Sequence, residues 1–250
     1  MKKIIEKTIV VFLLTIIFTM FMGCGEEDEN TNPDNKTNNK TTALFNSDKT
    51  YGTLTDQDGN VYKTISIGTQ TWMAENLRTT KYRDGSDIPE VKSADAWFAL
   101  RSDAYCNYNN TTSVDSIATF GRLYNWNAVN DSRKLAPFGW HIASNAEWST
   151  LKDYLGGSLM AGGKLKEVGL THWLEINGAA TNESGFTALP GGEINSVGRF
   201  ELVGVIGCWW SADYADDYAS WDWTILNNNG NIGTGTTNKA FGFSVRCVKD

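Results

Sequence analysis

Residues 52–67 read GTLTDQDGNVYKTISI, and this stretch sets the character of the fold. Asp58-Gly59 separates two runs that alternate between apolar and polar side chains. That pattern predicts a β-hairpin, because Asp-Gly supplies the positive backbone angles of a tight turn. In the second run Val61, Lys63, Ile65 and Ile67 are expected on one face, and Tyr62, Thr64 and Ser66 on the other. Asp56, Asp58, Gly59 and Asn60 also invite a calcium-loop reading. An EF-hand register starting at Asp56 needs Gly at its sixth position and Glu at its twelfth. Those positions hold Val61 and Ile67, so the segment is read as a turn.

Outward from the hairpin, residues 49–250 form one block of a size that supports a single domain with its own core. All ten Trp lie in it, with most of the 24 Gly, which suggests short strands joined by tight turns rather than a helical bundle. One helix is well marked. Ser144-Asn145-Ala146-Glu147 is a capping box, followed by Trp148, Leu151, Tyr154 and Leu155 at helical spacing and by Gly156-Gly157 as a stop. Trp148 shares that apolar stripe and is read as core. A weaker helical signal covers 159–168. Strands are expected again around Phe186, Cys208–Ser211, Tyr218–Leu226 and Ala240–Val248, with Asn227–Asn231 as a turn.

The chain ahead of the domain has a different character. Lys2, Lys3 and Lys7 precede an apolar run from Ile9 to Met22 that ends at Gly23-Cys24. The run is shorter than the ~20 residues of a spanning helix, and residues 1–23 are read as a signal peptide. Phe21-Met22-Gly23-Cys24 resembles a bacterial lipobox, which predicts acylation of Cys24 and attachment to a membrane through lipid. Glu26, Glu27, Asp28 and Glu29 resemble an acidic signal for export to the outer face of an outer membrane. Residues 24–48 are rich in Asn, Thr, Asp and Lys, nearly free of large apolar residues until Leu44 and Phe45, and are expected to form a disordered tether. Removal of 1–23, with three lysines against one glutamate, moves the formal net charge from −7 to −9. Such a chain is not built for nucleic acid, whose phosphates require clusters of Lys and Arg.

A series of motifs then points to one family. Tyr62–Tyr82 reads YKTISIGTQTWMAENLRTTKY. Tyr105-Cys106-Asn-Tyr, Gly121-Arg-Leu-Tyr-Asn-Trp126, Pro137-Phe-Gly-Trp-His141, Glu147-Trp148, Gly185-Phe-Thr-Ala-Leu-Pro-Gly-Gly192 and Trp210-Ser211 follow in order. The chain closes on Gly242-Phe-Ser-Val-Arg-Cys-Val-Lys-Asp250. Together they resemble the Fibrobacter succinogenes major paralogous domain, a family of secreted and lipid-anchored bacterial proteins. The capped helix and the ending also resemble formylglycine-generating proteins and, more distantly, C-type lectins. The resemblance implies an irregular α+β domain with small antiparallel sheets, few helices and long loops. Fold analogy alone does not transfer an activity.

Catalytic motifs are scarce. His141 and His172 are the two histidines, and no nucleophile elbow accompanies them. His141 is read as structural and His172 as a loop residue. A zinc site would need several closely spaced His or Cys, and no metal or cofactor is expected. Gly162-Gly163-Lys164 and Gly191-Gly192 lack the context of a phosphate loop. The close cysteine pair of formylglycine-type enzymes has no counterpart. Within the family motifs Cys106 and Cys247 are the pair expected to form a disulfide, leaving Cys208 as a buried small hydrophobe.

The remaining signal is aromatic. Tyr214, Tyr218, Trp221 and Trp223 lie among Asp213, Asp216, Asp217 and Asp222. Flat rings with acids nearby are a common means of holding sugars. Trp221 and Trp223 are expected on one face, which serves either as core or as ligand platform. The expectation is a non-enzymatic, lipid-anchored outer-membrane protein that binds a glycan through Tyr214, Tyr218, Trp221, Asp222 and Trp223. A structural or adhesive protein with protein partners is the alternative, and a carboxylate-dependent hydrolase is a third.

Overall fold

In the computed structural model, residues 40–250 are described. The signal peptide, Cys24 and residues 24–39 of the tether lie outside them. The strands in chain order are β1 Gly52–Thr55, β2 Val61–Ile67, β3 Gln70–Met73, β4 Tyr105–Cys106, β5 Leu123–Asn125, β6 Trp140–Ile142 and β7 Glu193–Ile194. They continue with β8 Phe200–Glu201, β9 Ile206–Tyr214, β10 Ala219–Leu226, β11 Ile232–Asn238, β12 Gly242–Phe243 and β13 Cys247–Lys249. The helices are α1 Ala94–Ala99, α2 Val114–Phe120, α3 Trp126–Val129, α4 Asn145–Tyr154 and α5 Ala161–Leu165. The strands form three antiparallel sheets ordered β1-β2-β3-β13-β6, β11-β10-β9 and β4-β5-β12-β7-β8. This is a sheet-rich α+β domain. Among the described residues no helix is long and apolar enough to cross a membrane.

The opening hairpin forms, and Asp56 explains its turn. Its carboxylate accepts the Asp58 and Asn60 backbone N–H groups, both at 2.9 Å, and the Tyr62 hydroxyl at 2.6 Å. Gly59 takes φ 83°, the angle for which glycine is suited. The residues of β2 take the predicted faces, but both faces are covered. Tyr62 and Thr64 are buried on one side, Ile65 and Ile67 on the other, and Val61 and Lys63 are exposed. The reason is that the first sheet lies between two apolar clusters. Tyr62, Met73 and Cys247 point into one cluster; Ile65, Ile67, Trp72 and Val248 point into the other. A strand buried on both sides loses the simple alternation of a half-exposed one.

The capping box of α4 is present: Ser144 Oγ accepts the Glu147 N–H at 3.3 Å, and Glu147 Oε2 accepts the Ser144 N–H at 2.9 Å. This fixes the helix so that Trp148 and Leu151 are buried. Trp148 stacks on Trp223 with centroids 5.8 Å apart and meets Trp72 at 4.8 Å, Phe186 at 5.8 Å and Trp209 at 5.9 Å. Each such ring buries roughly 150–250 Å², a gross stabilisation of about 4–6 kcal/mol.

The closing motif ties these parts together. Phe243 packs on Trp210 at 4.5 Å, and β13 pairs with both β3 and β6. Arg246 between them is fully buried. It donates to Asn76 Oδ1 at 2.7 Å, to the carbonyls of Met73 at 2.8 Å and Phe186 at 3.0 Å, and to that of Thr187 at 3.1 Å. Burial pulls its pKa down to about 9. Lys166 does comparable work where the weaker helical signal stops. Its buried ammonium donates to the carbonyls of Gly178 at 2.7 Å, Asn229 at 2.8 Å, Leu226 at 3.2 Å and Asn227 at 3.3 Å.

The domain begins earlier than composition suggests. Residues 42–46, assigned to the tether, are bonded to it. Thr42 Oγ1 lies 2.9 Å from His172 Nε2, the Leu44 N–H donates to Glu167 Oε1 at 2.5 Å, and Asn46 donates to the Asn182 carbonyl at 2.9 Å. Phe45 packs on Tyr51 at 5.4 Å.

Candidate functional site

The aromatics singled out in the sequence separate into two environments along one hairpin. Trp223 is only 2% exposed and belongs to the aromatic core, its indole N–H donating to Asn145 Oδ1 at 2.8 Å. It is not a platform residue. Trp221 is half-buried, opposite Thr236 of β11. Asp222 points away from both tryptophans and is buried. Burial raises its pKa, and its Oδ2 has no hydrogen-bond partner. Tyr214 and Tyr218 lie beyond the core edge and are 54% and 81% exposed.

Tyr218 lines a cleft of about 500 Å³ with Phe98, Arg101, Asn127, Asp217, Asn238 and Lys239 among its walls. Phe98 comes from α1, whose Trp97 is buried in the core while Phe98 turns outward, 61% exposed. Ser93 caps that helix, and the Trp97 indole donates to the Ala240 carbonyl at 2.8 Å, which fixes where Phe98 stands. In the same cleft the Lys239 ammonium lies 4.1 Å from the Tyr214 ring centroid and 4.7 Å from that of Trp126. It also donates to the Asp216 carbonyl at 2.5 Å. The Tyr214 hydroxyl donates to Asp217 at 2.5 Å. The cleft therefore offers two outward rings, two side-chain amides and a carboxylate, with a positioned ammonium beside them. Such a surface can stack on an apolar ring face and hydrogen-bond hydroxyls.

A second cleft, of about 550 Å³, lies beside the capped helix. His141 on β6 is held there between two carboxylates, with Nε2 2.6 Å from Glu147 Oε1 and Nδ1 2.7 Å from Asp250 Oδ1. Burial pulls the His141 pKa down, but the bonds to Asp250 and Glu147 outweigh it and leave the pKa raised. Burial acts upward on Glu147, and the bonds from Ser144 and His141 bring its pKa below the ordinary value. Both carboxylates are committed to the imidazole, which favours a charged, fixed ring. Arg83 edges the same cleft and is occupied by the carbonyls of Ala136, Pro137 and Trp140, at 2.7–3.0 Å.

The Cys106–Cys247 disulfide expected from the motifs is not formed. Both are free and buried, as is Cys208. Cys106 sits on β4 in one apolar cluster and Cys247 on β13 in another. Burial pushes all three thiols up in pKa, which makes them inert packing residues. The other histidine, His172, is buried against Glu167, with Nδ1 2.7 Å from Oε2. Among the described residues no group of His, Cys, Asp or Glu could hold a metal ion.

Sequence reasoning missed Phe98, Asn127 and Asn238, which complete the cleft around Tyr218. It also missed the partnership of His141 with Glu147 and Asp250. Glu147 carried a signal as the capping-box residue. Its second oxygen and the terminal Asp250 carried none.

These features define a sheet-rich α+β domain with an aromatic core and an open, aromatic-lined cleft. The family model of the Fibrobacter succinogenes major domain matches residues 65–249, and the chain belongs to that family. No curated protein and no solved structure matches it.

Proposed function

We propose that this protein is a glycan-binding module held at the outer membrane by an acyl group on Cys24, and that sugar binds in the cleft between Phe98 and Tyr218. The supporting observation is the exposure of those two rings, 61% and 81%, on one cleft that also carries Asn127, Asn238 and Asp217. Single exposed aromatics are common on protein surfaces and need no explanation. Two lining one cleft, each positioned by its own anchored element, support a common ligand. In this proposal the fold is of the C-type-lectin-like or formylglycine-generating kind, with the ligand taken by ring stacking and amides and without calcium. The protein is a binding module, not an enzyme.

The test is a glycan-array screen of the full-length protein beside Tyr218→Ala and Phe98→Ala. Binding to a defined sugar class that falls at least tenfold in both folded variants supports the proposal. A silent array from folded protein refutes it and leaves the structural or adhesive reading. Binding that survives both substitutions places the sugar elsewhere.

A further inference from the structure

The long strand β10 has two unlike ends. The Tyr218 end carries the aromatic cleft. The Leu226 end adjoins the loop 168–176, VGLTHWLEI: Asn227 donates to the Leu174 carbonyl at 3.0 Å, and the Gly178 N–H donates to the Asn227 carbonyl at 2.7 Å. A strand of this length separates its ends by about 25 Å.

This loop is unusually apolar for an exposed segment. Leu170 is 59% exposed, Leu174 51% and Ile176 56%, and Val168 is exposed beside them. Leu202 extends the patch, since its turn brings Gly204 against the Leu174 side chain. Glu175 is the one charged residue that the exposed loop carries after Val168. The same loop is where the N-terminal chain joins the domain. His172 lies 2.9 Å from Thr42, and Glu167 accepts the Leu44 N–H, so Lys40 starts within two residues of a loop contact.

We infer that the loop 168–176 is a bilayer-contacting surface, laid on the lipid that anchors the chain, with the aromatic cleft turned outward. The inference rests on the anchor at Cys24 and not on the ligand of the cleft. The stretch from Cys24 to Lys40 reaches no further than about 55 Å when fully extended. An apolar loop at the end of so short a leash meets the membrane at high effective concentration, and a weak contact then suffices. The formal net charge of −7 offers no overall attraction to anionic headgroups, so the contact is assigned to the apolar side chains. Leu170, Leu174 and Ile176 would enter the interface as interfacial apolar anchors do.

The full-length protein provides the test, since Cys106, Cys208 and Cys247 are buried and leave an introduced thiol free for labelling. An environment-sensitive fluorophore is placed at Leu170→Cys or at Tyr218→Cys, and the protein is reconstituted into phosphatidylcholine vesicles containing acyl-chain nitroxide lipid. The expected result is quenching at 170 several times that at 218, which falls when Leu174→Asp and Ile176→Asp are added. Vesicle-attached protein with equal, weak quenching at both sites overturns the inference. Shielding at 170 without quenching, together with a dimer that Leu174→Asp dissociates, overturns it in favour of a second copy. Protein that neither floats with vesicles nor carries an acyl mass on Cys24 removes the anchor, and the inference fails with it, whatever the glycan array shows.

Discussion

Trp223 and Tyr218 lie five positions apart on one hairpin and have opposite fates. Trp223 is stacked under Trp148, its N–H satisfied by Asn145 and its ring almost wholly out of water. Tyr218 stands in solvent and lines a cleft that Phe98 also lines. Residue type does not decide this, since both segments are aromatic and acid-flanked. What decides it is cover. Helix α4, fixed by its capping box, covers Trp223 with Trp148 and Asn145, whereas Tyr218 lines the open cleft. The buried region is a stability element, and the open region is free for a ligand.

The buried side should answer strongly to substitution. Arg246→Ala removes the guanidinium donors from the carbonyls of Met73, Phe186 and Thr187 within a closed core, where each unsatisfied polar group costs about 1–3 kcal/mol, while Asn76 Oδ1 keeps the Trp209 indole N–H. A loss of at least 3 kcal/mol is expected in urea unfolding, and a loss under 1 kcal/mol would mean that Arg246 does not hold the core together. Ser144→Ala removes the cap that places Trp148, and a loss of about 1 kcal/mol is expected from the same measurement.

The His141 cluster should give a smaller, pH-dependent effect. Its raised pKa means that its contribution is full below the ordinary value of 6.5 and disappears as pH rises through the raised one. The lowered pKa of Glu147 means that its share is present above the ordinary value of 4.5 and is lost in acid. The cluster therefore stabilises most between those two values. His141→Gln should cost under about 1 kcal/mol, as for partly exposed ion pairs, with the deficit larger at pH 5.5 than at pH 9. A deficit that grows with pH would contradict this arrangement. Smallest of all is the effect of a reductant. With three free thiols, dithiothreitol should leave the unfolding midpoint unchanged. A drop in midpoint would restore the Cys106–Cys247 bridge.

Much of the covered region was legible in the sequence. The capping box, the Asp-Gly hairpin and the closing motif each encode local geometry, and each forms. The two-sided burial of β2 was not legible, because alternation reports exposure on one face, and here both faces are covered. The cleft was half legible. Tyr218 stood out among its acids, but its partner Phe98 lies in a distant helix where an outward ring looks like any other aromatic. The motif cysteines misled for a related reason: co-occurrence in motifs marks positions that matter to packing, and Cys106 and Cys247 pack in separate clusters.

The most direct test of the account measures unfolding free energy and glycan binding together for Trp223→Ala and Tyr218→Ala. The account predicts a crossed result. Trp223→Ala loses about 3–5 kcal/mol of stability, as large aromatic truncations in cores do. Tyr218→Ala stays within about 0.5 kcal/mol of the parent while losing at least tenfold in binding. Equal destabilisation by both, or undiminished glycan binding in Tyr218→Ala, would contradict the division of this hairpin into a structural part and a binding part.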